Sequence, residues 1–252
     1  MKPSLESGRM RRTIRWPRRF AACALLLVAL VSTGFTAGAQ EKTPFPKMAP
    51  LEEYLMEPKA EIALARSSAP ASISDEAEVL VLGRHGYETA VKGKNGFVCY
   101  VERAWMSGSD DPEFWDPKLR GPMCLNAAGA KMRLPMAYKK TELVLGGASK
   151  EQIVDAMKVA FDKKELPAPE PGAMCYMMSK DAYFGAAGQH WHPHLMFFWP
   201  STESMTWGAA PGSPVLAFQD PEDRMTVFVI TLGKWSDGTA APPYEPEEEA
   251  KK

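Results

Sequence analysis

The chain has 252 residues, 30 of them basic and 31 acidic, with 45% hydrophobic residues and four cysteines. That is the composition of a globular protein with enough apolar material for a filled core, and neither low-complexity nor collagen-like. It carries no basic excess to neutralise a phosphate backbone, so nucleic acid is excluded as an expected partner.

The basic residues are unevenly placed. Lys2, Arg9, Arg11, Arg12, Arg15, Arg18 and Arg19 precede an uncharged apolar run from Phe20 to Val31, which leads into Thr36-Ala37-Gly38-Ala39. A basic region, an apolar core and small residues in that order predict a signal peptide over 1–39, cut after Ala39. The core falls short of the roughly 18–20 apolar residues of a spanning helix. Cys23 stands ahead of most of that core, which does not fit a lipoprotein. Arg11-Arg12 faintly resembles a twin-arginine signal, but the general secretory route is the expectation. The predicted location is therefore the periplasm or the medium, with no transmembrane segment after cleavage. Removing the leader's seven basic residues and one acid leaves 23 and 30, a net charge of −7. Cys99, Cys124 and Cys175 remain; an oxidising compartment predicts one disulfide and one spare thiol, and the spacing leaves the pairing open.

In chain order, 40–50 is polar and Pro-containing and reads as a disordered leader. Pro58 followed by Lys59 to Arg66 predicts a helix with proline in its first turn, and Ser67 to Ser74 a loop. Glu78-Val79-Leu80-Val81-Leu82, Tyr87 to Val91 and Phe97 to Val101 predict a three-stranded meander, with Lys94-Asn95-Gly96 as its second turn. Residues 105–124 hold Asp, Pro and Gly punctuation and read as an irregular loop tied down by Trp105 and Trp115. Ala127 to Val144 is helical in composition but interrupted by Pro135. Ser149-Lys150-Glu151-Gln152 is a capping box opening a helix with Ile153, Met157, Val159, Ala160 and Phe161 as its apolar set. Strands are expected at 173–179, 194–199, 215–218 and 225–232, the last pair turned by Asp220 to Asp223. Strands on either side of a helical middle segment predict an α+β fold with a mostly antiparallel sheet. One domain is expected over 51–237, followed by a disordered acidic tail at 238–252.

Three of the four histidines lie in Gln189-His190-Trp191-His192-Pro193-His194. In an extended segment alternate residues share a face, so His190, His192 and His194 are the candidate metal ligands. Pro193 cannot donate to a ladder and places the cluster at a strand entry. Met196 and Phe198 continue the histidine face; Leu195, Phe197 and Trp199 take the other. Zinc suits imidazoles, and copper becomes eligible through the 15 methionines. The remaining histidine lies in Gly83-Arg84-His85-Gly86. A strand followed by Arg-His-Gly resembles the opening motif of the histidine phosphatases. That resemblance implies His85 as nucleophile and Arg84 as phosphate ligand, on a parallel sheet.

A wider resemblance covers Gly86 to Gly93, Asn95 to Cys99, Phe114 to Lys118, Pro171 to Ser179 and His190 to Phe198. Together these blocks look like an uncharacterised family of exported bacterial proteins, and the resemblance implies export and one coherent domain without implying an activity. The expected function is that of a ligand- or metal-binding envelope protein centred on the histidine strand. The alternatives are a hydrolase, either metal-dependent or phosphatase-like, and a structural or interaction protein with no small-molecule site.

Overall fold

The computed structural model describes residues 44–185, 191–202, 207–210, 213 and 215–243. The predicted leader, His190 and the acidic end of the tail lie outside the described residues. Among the described residues eight strands form one sheet: β1 (Glu78–Gly83), β2 (Gly86–Val91), β3 (Val98–Glu102), β4 (Gly121–Leu125), β5 (Met174–Met177), β6 (His194–Pro200), β7 (Val215–Asp220) and β8 (Met225–Thr231). Their order is β2-β1-β3-β4-β5-β6-β8-β7. All neighbours are antiparallel except β1 and β3. Four α-helices among the described residues accompany it: α1 (Pro58–Arg66), α2 (Ala71–Ser74), α3 (Ala127–Leu145) and α4 (Lys150–Asp162). The fold is α+β with a helical middle segment, as the sequence predicts.

The meander does not form. β3 pairs with β1, in parallel, and not with β2. The reason is in the side chains: Val79, Leu80, Val81 and Leu82 are all buried, which demands cover on both faces and a partner on each edge. Glu88, Thr89 and Ala90 of β2 are exposed, which suits the edge of the sheet. The link from β2 therefore crosses to the far side of β1. Gly93 lets it pass, because a Cβ there would stand 2.1 Å from the Glu78 backbone nitrogen.

Residues 121–124, expected in a loop, belong to the fully buried strand β4. Its Cys124 lies directly opposite Cys99 of β3, and the two form a disulfide with an S–S distance of 2.01 Å. α1 and α2 cover this face of the sheet through Ile62, Ala65 and Ile73. Cys175, the free thiol, points to the opposite face and is fully buried.

That opposite face, with Tyr100, Leu125, Cys175 and Phe198, packs under α3 and α4. Pro135 does not interrupt α3, which runs unbroken over 19 residues. An interior proline costs about 3 kcal/mol. Burying Met132 and Met136, each fully within the core, contributes about 1.5–3 kcal/mol apiece and offsets it. Asn126 caps the helix by accepting from Gly129 N at 2.8 Å and also holds β5 by accepting from Met174 N at 3.2 Å. α4 opens with the predicted capping box and buries Ile153, Met157 and Ala160, while Val159 falls off the apolar stripe and is exposed.

Of the expected loose leader, Phe45, Met48 and Ala49 pack against the main core. At the other end, Trp235 N and Ala241 N bond to Thr239 O and Gly233 O, so the tail begins as a small hairpin. No helix among the described residues is long and apolar enough to cross a membrane.

Candidate functional site

The strand parity read from the histidine segment places a side-chain row on the α3 face. β5 and β6 pair so that Met177 lies opposite His194 and Cys175 opposite Met196. β8 supplies Val227 opposite Phe198. His194, Met196 and Phe198 line a cavity of about 250 Å³, with Met177 and Val227 beside them.

Aromatic rings close the His194 end. Trp191 stacks on Phe184 with ring centres 4.4 Å apart and presents its edge to His194 at 5.0 Å. The indole is held by a 2.7 Å hydrogen bond from Nε1 to Ser179 O. Gly121 makes room for Phe184: a Cβ at that position would meet the ring at 3.1 Å. The His194 Nδ1 lies 2.8 Å from the His192 carbonyl. A carbonyl only accepts, so Nδ1 carries the proton and Nε2 keeps the lone pair. Burial pushes the His194 imidazole below its ordinary pKa, with the carbonyl bond opposing. His192 is buried elsewhere, its ring 6.4 Å from that of Trp235, and it too is pushed down by burial.

The other end of the cavity is charged. Arg133 of α3 donates from Nε to Glu102 at 3.0 Å and from Nη1 to Asp223 at 3.0 Å. Tyr100 donates to the same Glu102 oxygen at 2.6 Å. Lys140, two turns further along α3, pairs with Asp223 at 3.1 Å. Glu102, Arg133 and Asp220 line the cavity; Lys140 and Asp223 line a second one of about 260 Å³ floored by Phe114, Ile153 and Met157. A chain of buried ion pairs thus separates two hollows. Burial would lower Arg133, but Glu102, Tyr100 and Asp223 outweigh it and hold the guanidinium well above its ordinary pKa. Burial, and then Asp223, push Asp220 up. Arg103 also lines the first cavity, and each of its nitrogens bonds within the protein, Nε to Tyr54 O, Nη1 to Val101 O and Nη2 to Glu61.

Of the residues singled out in the sequence, His194 reaches this cavity. His192 contributes its carbonyl, and His190 falls outside the described residues. Arg84 and His85 form the tight turn between β1 and β2, both exposed, with Arg84 Nη1 2.7 Å from Glu52 Oε1. They line neither cavity. The antiparallel hairpin they close differs from the parallel sheet that the histidine phosphatase resemblance implies. Among the described residues, no group of three His, Cys, Asp or Glu side chains converges as a metal cluster. The charged end went unread in the sequence, although Arg133 and Lys140, seven apart beside buried Ala137, mark a polar stripe on a core helix.

No family model, curated protein or solved structure matches this chain.

Proposed function

We propose that this is an exported binding protein of the cell envelope whose ligand site is the cavity between His194 and Arg133. One observation carries the reading: three successive inward positions of a single strand, His194, Met196 and Phe198, line a hollow that ends in Glu102, Arg133 and Asp220. An apolar hollow with a few fixed polar groups is the usual form of a small-molecule site. Its ligand is a small amphiphile, with an apolar body along the strand and a polar head at the ion pairs. The signal-like leader and the buried Cys99–Cys124 disulfide support export, because structural disulfides persist in oxidising compartments.

The test is titration with 1-anilinonaphthalene-8-sulfonate, an apolar double ring with an anionic head. Saturable binding of one dye per chain, lost when Val227→Trp fills the hollow, supports the site. Binding that is unsaturable, or equal in the variant, rejects it.

A further inference from the structure

The inner wall of the same cavity has a chemistry of its own. Met177 stands directly opposite His194 across the β5–β6 ladder, and Met196 follows His194 on the same face. Opposite residues bring their Cβ atoms within about 4.5–5.5 Å, and alternate residues lie about 6.6–7 Å apart along a strand. Two thioethers and an imidazole therefore border one small volume, and all three residues line the cavity. We propose that they form a soft-metal site for a monovalent cation of the copper(I) class.

Ligand type decides the metal. Thioethers are soft and neutral; they bind copper(I) and leave calcium, magnesium and manganese to oxygen donors. Zinc sites draw on thiolates, imidazoles and carboxylates, and here one imidazole stands among thioethers. The bond from His194 Nδ1 to the His192 carbonyl leaves Nε2 as the donor atom and fixes the ring, which is how metal-binding histidines are commonly oriented. Trp191, packed against His194 and backed by Phe184, shields this end from water. Cys175 lies opposite Met196 but is fully buried and off the cavity wall, so it is not a ligand. Met225 lines the cavity opposite Pro200, six positions from His194 or about 20 Å along the strand, too distant to join the set.

This inference rests on the cavity being the ligand site, and the test separates the two. The purified protein is titrated anaerobically with copper(I) against bicinchoninate, and in parallel with silver(I), a soft cation that needs no reductant. The expected result is one cation per chain with quenching of tryptophan fluorescence, unaffected by excess zinc. Met177→Leu and Met196→Leu, which nearly conserve volume, should each weaken binding at least about tenfold, the loss typical when a metal site's ligand shell is disturbed. Cys175→Ala should leave affinity unchanged. No cation binding in a protein that still takes up the naphthalene dye overturns the metal site and leaves the cavity reading standing; loss of both overturns both. Binding that survives in the methionine variants, or disappears in Cys175→Ala, overturns the ligand set.

Discussion

Arg133 Nη1 on α3 lies 3.0 Å from Asp223 Oδ2 in the turn between β7 and β8, with both side chains almost wholly buried. The contact joins two parts of the chain 90 residues apart. It places a guanidinium between Asp223 and Glu102; without the arginine Asp223 keeps Lys140, whereas the buried Glu102 loses its cationic partner and keeps the Tyr100 hydroxyl.

Arg133→Ala should therefore cost about 3–5 kcal/mol, the penalty for stranding the buried Glu102 carboxylate. Arg84, whose bond to Glu52 is solvent-screened with side chains 64% and 60% exposed, is the contrast. Urea unfolding of the two variants checks this: Arg133→Ala should shift the midpoint strongly and Arg84→Ala hardly at all.

Asp220 has its carboxyl pushed up, chiefly by burial and next by the Asp223 charge, against the hydrogen bond from Asp223 N and the charges of Lys140 and Arg133. A group with a raised folded-state pKa makes the native state bind more protons than the unfolded chain. Its ionisation lowers stability as pH rises from the unfolded carboxyl range through the folded value. Asp220→Asn keeps an oxygen for the 2.9 Å bond from Asp223 N. The variant should be more stable than wild type at neutral pH, and the difference should fade as pH falls through the carboxyl range. Asp162, held down to about 2 by Lys158 and Arg224, works in the opposite sense and loses its contribution on acidification. Thermal unfolding of Asp220→Asn and wild type across that range reads the sign directly.

The Cys99–Cys124 disulfide closes a loop of 25 residues. Loop-closure entropy for that length gives about 3.5 kcal/mol. A Cys99→Ala/Cys124→Ala variant should lose about that much by urea titration, whereas Cys175→Ala, which breaks no cross-link, should lose what a small core cavity costs.

If the leader is a signal peptide, mass spectrometry of the native protein should find Gln40 at its N-terminus, outside the cytoplasm. An intact Met1 in the cytosol would contradict export.

What the sequence carries plainly are the local rules. Ser149 and Gln152 cap α4 as their spacing requires, and His194, Met196 and Phe198 share a face because a strand alternates. What it conceals is set by distant parts of the chain. β3 joins β1 because an apolar run needs two neighbours, a demand that no window around Lys94-Asn95-Gly96 displays. Gly121 and Pro122 look like loop punctuation until Phe184, 63 positions after Gly121, is seen to fill the space above the glycine. Pro135 breaks helices in isolation and is overruled by the burial of Met132 and Met136. Arg133, Glu102 and Asp223 are surface residues by type, and only the fold shows that they satisfy one another.

The hollow between His194 and Arg133 is the proposed ligand site. Amide and methyl chemical shifts recorded while the naphthalene sulfonate is added report its occupancy residue by residue. Met177, Met196, Val227 and the Trp191 indole should shift together and saturate, while Ile62 and Ile73 on the α1 side stay still. Shifts spread over the α1 side, or none at the four cavity residues, would contradict it.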